Sequence, residues 1–587
     1  MTKRGAGLVF TLIGMAVVAS MAIVALLYLI VSREPSVARG SALVLRPSGQ
    51  LHDVAPDDLV GQFFGTDVAS VRSFVESLRK ASRDPRITTV LLMPGSLELP
   101  FWGKVQELRD AILDFRKSEK TVVAFLEYGG DREYYLASAA DRVFLLPTSP
   151  LDLTGVASYE IFFRGTLDKI GAYPDLHHIG DYKTAPNQLT ERSFTPAHRE
   201  MAESLNRSMY EQLVRGIAAS RRKSEAEIRT LLDQGPFLPE DALRTGLVDD
   251  LAYEDQLDDR VPQLKAASDE RRRIEEADYR RISPRAAGLR PRSRVAVIYA
   301  VGTIASGDST FDPVYGSIAG SDTIVDQIRR IRADDSVKAI VLRIDSPGGS
   351  SAASDVIWRE LMITRDQRPS RPLVTSMSDL AASGGYYIAL PAHAIVAQPA
   401  TLTGSIGIYT GKIVTGGTLS KLGITTETVK SGRNADMYSP VTPFTPEQRA
   451  KVEEYMQAFY DQFVEKVAAA RHTTPERIDA VGQGRVWTGQ QARELGLVDQ
   501  LGGLDTAIGI AKQRARIPAD EDVELVVYPP RRSFYEALAQ RFGGGAWSGL
   551  DLLLGGAEVR AIRSLTGPMR IFRRGEPLAL MPFTFLR

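Results

Sequence analysis

The stretch GYYIALPAHAIVAQPATLTGS, Gly385 to Ser405, has a counterpart much earlier in the chain: EYYLASAADRVFLLPTSPLDLTGV, Glu133 to Val156. The likeness continues on both sides. FTPAHREMAESLNRSMYEQLV from Phe194 is answered by FTPEQRAKVEEYMQAFYDQFV from Phe444, and TGLVDDL from Thr245 by LGLVDQL from Leu495. Tyr134 and Tyr386 lie 252 positions apart, and Phe194 and Phe444 lie 250 apart. Register is therefore held across both halves with small gaps. This is tandem duplication of a unit of roughly 220–230 residues.

Each copy alternates strand-like and helix-like runs. RVAVIYAVG and AIVLRID are β-branched apolar runs, SDTIVDQIRRIRADD between them has apolar residues at helical spacing, and LVTSMSD reads as another buried strand. Buried strands alternating with helices imply a mostly parallel α/β unit. A chain of 587 residues is in any case too long for one core, since single cores stop growing near roughly 250–300 residues.

Working outward, residues 41–262 form the first repeat and residues 293–528 the second. Between them, residues 263–292 are dense in charges of both signs and carry Pro and Gly, so they read as an exposed helix and linker. Residues 529–587 are Gly-rich, then basic and apolar, and no role is legible in them. Ahead of the repeats, Leu8 to Val31 carries no charge over 24 residues, longer than the ~20 needed to span a bilayer. Lys3 and Arg4 precede it, while Arg33 and Glu34 cancel after it. These signals predict a cytoplasmic tail over residues 1–7, an uncleaved single-pass anchor over 8–31, and a body on the far side of the membrane. A cleaved signal peptide would have a shorter apolar region, with its small-residue site beyond it.

Basic and acidic residues number 72 each, which gives no bias toward nucleic acid. The chain has no cysteine, so thiolate catalysis and thiolate metal sites are excluded. No phosphate-binding G-x-x-x-x-G-K-[ST] loop occurs, and no metal or other cofactor site is visible.

In AASGGYY a single hydroxyl, Ser383, sits among small residues at the start of an expected helix. A nucleophile there has the N–H of Gly384 beside its own oxygen and gains the helix dipole. Upstream, RIDSPGGS follows a strand, and its Gly348 and Gly349 free backbone N–H groups for an anion-receptive turn. One of these two, with Gly384, would make a two-donor oxyanion hole. The proton acceptor is harder to find among six histidines. His393 would lie ten residues along the same helix, ~15 Å from the serine. His472 ends a polar helix, and His177 and His198 read as surface residues. His178, near IGDYKTAP, is the one to check. None has an obvious orienting carboxylate, so a Ser-His-Asp triad is disfavoured.

DSPGGS, AASGGYY and TLTGSIGI, in that order, closely resemble the signal peptide peptidase A (protease IV) family in its long, duplicated, membrane-anchored form. The likeness covers nearly the whole chain after the anchor. It implies a Clp-protease/crotonase-like fold in each copy and a serine peptidase whose general base is a lysine. In such long forms the serine comes from the second copy and the lysine from the first. The two copies bear this out as sequences. Ser383 corresponds to Asp131 of GGDREYY, and Ser405 of LTGS to Val156 of LTGV. Conversely, Lys183 of HIGDYKTAP has only Ala435 or Arg433 opposite it. One half keeps the base and the other the nucleophile.

The resemblance thus implies Ser383 as nucleophile, Lys183 as general base and Ser405 as the hydroxyl that orients the lysine, with Lys430 as a rival base. To act near neutral pH, Lys183 must lose most of its ordinary basicity through burial, at a cost of roughly 4 kcal/mol. The resemblance also implies apolar peptide substrates, namely signal peptides left in the membrane, no cofactor, a homotetramer, and a bacterial inner-membrane location with the body facing the periplasm. Two other classes compete. A crotonase-type acyl-CoA enzyme would share the oxyanion turn without needing Ser383. An inactive membrane scaffold would explain the decayed first copy, but not the complementary losses.

Overall fold

The structure, a computed structural model, describes residues 15, 34–53, 70–265, 272–312, 316–529, 576–581 and 585–586. The anchor expected over Leu8–Val31 lies outside them apart from Met15. Among the described residues no helix is long and apolar enough to cross a membrane.

The first copy is built on β1 (Ser41–Leu45), β2 (Ile87–Leu92), β3 (Thr121–Leu126), β4 (Arg142–Leu145), β5 (Tyr173–Ile179), β6 (Asp250–Leu251) and β7 (Arg273–Glu275). All but β5 form one sheet in the order β7-β1-β2-β3-β4-β6, with every ladder parallel. β1 and β3 are almost wholly buried, as strands covered on both faces must be. Each buried Val, Ile or Leu there contributes about 1.5–3 kcal/mol. β7 corrects one expectation. Part of the charged segment 263–292 is not linker but the edge of this sheet, because Ile274 and Tyr279 carry apolar surface that the first copy buries. The Lys80 amine fixes the turn that follows by donating to the carbonyls of Tyr279, Arg280 and Ile282.

The second copy contains β8 (Ser293–Val301), β9 (Thr303–Ala305), β10 (Thr310–Asp312), β11 (Gly316–Gly320), β12 (Val337–Ser346), β13 (Gly348–Ser350), β14 (Leu373–Ala382), β15 (Ala394–Ala397), β16 (Leu402–Gly404), β17 (Ile408–Val414), β18 (Val486–Thr488), β19 (Gln500–Leu501) and β20 (Val523–Tyr528). Its main sheet runs β18-β16-β14-β12-β8-β20, with β15 also on β14 and β19 on β15. A last strand, β21 (Leu578–Leu580), comes from the C-terminal extension. It belongs to a sheet of order β10-β11-β9-β13-β21-β17-β5, which contains strands of both copies.

The duplication is visible in side-chain chemistry. Tyr134 Oη donates to the carbonyl of Leu247 at 2.6 Å, and Tyr386 Oη to that of Leu497 at 2.8 Å. Arg221 pairs with Asp249, whose Oδ2 accepts from the N–H of Val143. Arg471 pairs with Asp499, whose Oδ2 accepts from that of Ile395. Thr195 and Thr445 cap the equivalent long helices Pro196–Arg221 and Pro446–Ala470. A tandemly duplicated α/β chain is what the repeat predicts.

The copies are locked by buried charge. Helix α1 (Gly103–Arg116) of the first copy lies against β14, with Gly103 so near Ser378 O and Asp379 Cα that a Cβ would be 3.0–3.1 Å away. Lys104 Nζ sits 2.7 Å from Asp345 and 3.4 Å from Asp379. Arg343, 1 % exposed, reaches Asp53 at 2.7 Å and Glu107 at 2.5 Å.

Candidate active site

Ser383 ends strand β14 and starts helix α2 (Gly384–Ala389), with φ 55° and ψ −113°. A non-glycine residue in that region stores roughly 1–3 kcal/mol of backbone strain. The surroundings hold the turn in place. Ser383 N–H donates to Gly404 O at 2.7 Å, and Tyr387 N–H to Ser383 O at 2.9 Å. Gly385 must be glycine because a Cβ would lie 2.8 Å from Ser346 O. The sharp turn between strand and helix lifts the hydroxyl clear of the sheet.

Lys183 reaches the same point from the other copy. β5 pairs antiparallel with β17 through seven residues, Ile408 opposite Ile179 to Val414 opposite Tyr173, and Lys183 follows four residues after β5. Its loop is held by Tyr182 N–H donating to Gln483 O at 2.8 Å. Arg485 stacks between Tyr182 at 4.5 Å and Trp487 at 4.4 Å. Tyr182 Oη and Arg485 both hydrogen-bond Glu200.

Lys183 Nζ lies 2.8 Å from Ser383 Oγ, 3.0 Å from Ser405 Oγ and 3.1 Å from Ser405 O. Ser405 is delivered by β16, whose Gly404 pairs with Ala382. All three residues are fully buried. Burial alone lowers the Lys183 amine well below the ordinary lysine range, with no carboxylate near enough to oppose it. An amine with that bias gives up its proton more readily than an ordinary lysine.

The glycine turn lies alongside. Gly348 N–H donates to Ser346 Oγ at 3.1 Å. A Cβ on Gly384 would lie 3.2 Å from Gly349 N, and one on Gly348 would lie 2.7 Å from Gly384 N, so the glycine turn packs directly against the start of the helix after Ser383.

Several sequence readings need correction here. The helix after Ser383 ends at Ala389, so His393 is not on it but at the entry to β15, where its N–H donates to Leu373 O. His198 is not a surface residue. It is fully buried, 2.7 Å from Glu160, between Phe162 and Phe194. His177 also has a carboxylate, Asp175 at 3.2 Å. Both pairs are structural contacts of the first copy and its seam with the second. His178 is exposed and bonds Gly180 O. Lys430 is solvent-exposed and paired with Asp436 at 2.9 Å. Asp131, opposite Ser383 in the repeat, accepts from the N–H groups of Thr154 and Gly155. What the motifs did not reveal was the loop Gly482–Arg485 that packs Lys183. Its signal was the two glycines of VGQGR, a turn with no chemistry of its own.

Geometry and fold together define a class: a hydrolase built from two fused α/β copies, in which a serine hydroxyl and a buried lysine amine meet across the duplication. Residues 114–268 and 365–518 each match Peptidase family S49. The chain is 34% identical over 501 residues to "Serine protease SPPA, chloroplastic" of Arabidopsis thaliana, covering 84% of this chain and 71% of that protein. It is 34% identical over 507 residues to "Protease 4" of Salmonella typhi, with 83% and 80% covered. It is 28% identical over 508 residues to "Protease 4" of Haemophilus influenzae, with 82% and 80% covered. The chain belongs to Peptidase family S49 and is a serine peptidase.

Proposed function

We propose that the chain is an endopeptidase working through a Ser383–Lys183 dyad on apolar peptides, with signal peptides in the membrane as its substrates. The observation that carries this reading is the 2.8 Å separation of Ser383 Oγ from a buried, uncompensated lysine amine. Ser383 Oγ attacks the peptide carbonyl carbon while Lys183 Nζ takes its proton. Lys183 then gives that proton to the leaving amine, and water enters by the same route to release the acyl group. Gly384 N–H and Gly349 N–H receive the oxyanion, each donor contributing roughly 3–4 kcal/mol. Gly348 serves by its conformation, φ +100°, and by its closeness rather than by its N–H. Ser405 holds the lysine through both its hydroxyl and its carbonyl oxygen.

The charge-free run Leu8–Val31 supports a single-pass anchor with the N-terminus cytoplasmic, in a bacterial inner membrane with the body on the periplasmic side. A tetramer follows from the family resemblance. An inactive scaffold would have no reason to keep a lysine neutral beside a strained serine.

The test is labelling by a fluorophosphonate together with cleavage of an apolar peptide. Wild type labels and cleaves, Ser383→Ala does neither, Lys183→Ala loses at least 100-fold in rate, and Lys430→Ala stays within two-fold. Activity surviving Lys183→Ala would discard the cross-copy dyad.

A further inference from the structure

Ser383 and Gly384 stand at the start of helix α2, and the grip on that helix lies one turn further along. Tyr387 N–H donates to Ser383 O at 2.9 Å, and its side chain is fully buried. Tyr387 Oη donates to Asp355 Oδ1 at 2.6 Å and accepts from Lys466 Nζ at 2.6 Å, while Lys466 Nζ also meets the Asp355 carboxylate. Phenol, carboxylate and ammonium thus close a triangle, each touching the other two. Such charge-assisted bonds are the strong ones. The ammonium also stands 3.7 Å over the Trp358 ring, and the Tyr387 ring packs 4.9 Å from that of Phe463. Burial and the neighbouring carboxylate push the Tyr387 phenol up, so it remains a donor.

The three residues come from three helices. Asp355 is on helix Ser351–Gln367, which starts directly after the glycine turn Gly348–Ser350. Tyr387 is on α2, and Lys466 is on helix Pro446–Ala470. Ser354, next to Asp355, packs into the same junction. Its Oγ donates to Ser350 O at 2.8 Å and lies 2.6 Å from where a Cβ on Gly384 would stand. The triangle therefore ties the helix that leaves the glycine turn to the helix that leaves the nucleophile.

The first copy supplies the comparison. Tyr135 stands 252 positions before Tyr387, Gly103 stands 252 before Asp355, and Gly216 stands 250 before Lys466. Both charges are glycines there. A Cβ on Gly216 would lie 2.3 Å from Tyr135 Cε2, so the ring fills the space that a lysine would need. The cation on that ring is Arg109 instead, 4.4 Å from its centroid. A set needed only to pack the fold would serve both copies alike. The copy without a nucleophile lacks it.

We propose that Tyr387, Asp355 and Lys466 are positioning residues for the peptidase reaction, holding Ser383 Oγ and Gly384 N–H in fixed relation to the glycine turn. The inference rests on the reading of Ser383 as nucleophile and acts through the backbone of α2. Loss of one member lets the helix start shift, which spoils the alignment of the nucleophile and the oxyanion donor without removing a peptide contact.

The experiment measures kcat and KM for an apolar peptide, the fluorophosphonate labelling rate and the unfolding midpoint. It compares wild type with Tyr387→Phe, Lys466→Met, their double variant and, as control, Tyr135→Phe. Tyr387→Phe removes one oxygen and Lys466→Met keeps the stem over Trp358, so both should fold; if Lys466→Met does not, Tyr387→Phe decides alone. Each is expected to lose about 10- to 100-fold in kcat and in labelling rate, with KM within about three-fold of wild type. The double variant should lose no more than about three-fold beyond the larger single loss, because the groups act as one unit. Tyr135→Phe takes the same oxygen from the equivalent helix and should stay within about two-fold in both constants. A kcat of Tyr387→Phe within two-fold of wild type, a loss carried by KM, or an equal loss in Tyr135→Phe would overturn the proposal and leave the dyad standing. A wild type that neither labels nor cleaves would instead overturn the dyad, and this proposal with it.

Discussion

Gly484 lies against the backbone of Lys183 so closely that a Cβ on it would stand 2.5 Å from the N, Cα and Cβ of the lysine. The glycine also has φ +78°, where an L side chain is strained. Gly180 meets the same loop from the other side, a Cβ there falling 2.4 Å from the carbonyl of Gln483. Lys183 is thus placed by two glycines, one in each copy, that let two backbones touch. Gly484→Ala should push Lys183 off the serine while the cores stay intact. Because displacements of about 1 Å cost on the order of 100-fold in rate, kcat/KM should fall by about that factor, while unfolding stability should drop by about 1–2 kcal/mol from the strained positive φ without loss of the folded state. A rate within two-fold of wild type would show that the loop does not position the base.

The pH profile follows from the buried amine. Burial holds the Lys183 pKa in the folded chain below its unfolded value, and only the neutral amine can take the serine proton. Activity should be absent in acid and appear as pH rises through the lowered value, with a one-proton acid limb in kcat/KM. The same shift makes stability rise with pH between the lowered value and the ordinary lysine range, because there only the unfolded chain binds the proton. Lys183→Arg keeps the charge and cannot deprotonate, so it should be inactive at every pH. An arginine variant with a normal acid limb would remove Lys183 from the mechanism.

How much of this was legible beforehand depends on whether a feature leaves a pattern in the residues. The duplication did, because Tyr134 and Tyr386, Asp249 and Asp499, and the caps Thr195 and Thr445 repeat at nearly one spacing. Ser383, Lys183 and Ser405 could be found because the two copies lost opposite halves of the set. The choice between Gly348 and Gly349 could not be read, since it depends on Ser346 Oγ accepting the Gly348 N–H. Nor could the burial of His198, whose partners Glu160 and Phe162 lie far from it in sequence. Leu578–Leu580 is a strand only because an open sheet edge receives it, so its own composition said nothing.

Arg343 should control how firmly the copies hold together. It is buried against Asp53, Glu107, Ser376 and Ser378, and burial and these acids act on one another across the seam. Removing one partner of a buried ion pair leaves an uncompensated charge and costs about 3–5 kcal/mol. Arg343→Met should lower denaturant stability by that amount. Burial alone would raise the Asp53 carboxyl, but Arg343 and Lys104 outweigh it and hold the group below the ordinary carboxylate range. In wild type the contribution of Asp53 is therefore present at neutral pH and is lost as pH falls through the lowered value. In the variant Asp53 loses its strongest counter-charge and is protonated more easily, so the stability gap between the proteins should narrow from pH 7 toward pH 4. A gap that widens in acid would contradict the assignment.

Ser405 separates holding the base from supplying it. Its hydroxyl and its carbonyl oxygen are both near Lys183 Nζ, and only the first is removed by Ser405→Ala. The carbonyl contact survives and Lys183 still lies beside Ser383, so the amine is looser but present. The loss should fall on kcat, by about 10- to 100-fold, because positioning matters most in the transition state, and KM for an apolar peptide should stay within about three-fold. Ser405→Thr would restore the hydroxyl but place a methyl group in a fully buried position with φ 51°, where β-branching is penalised. It should therefore recover less than half of the lost rate. Equal activity of Ser405→Ala and wild type would make the carbonyl oxygen alone sufficient to orient Lys183.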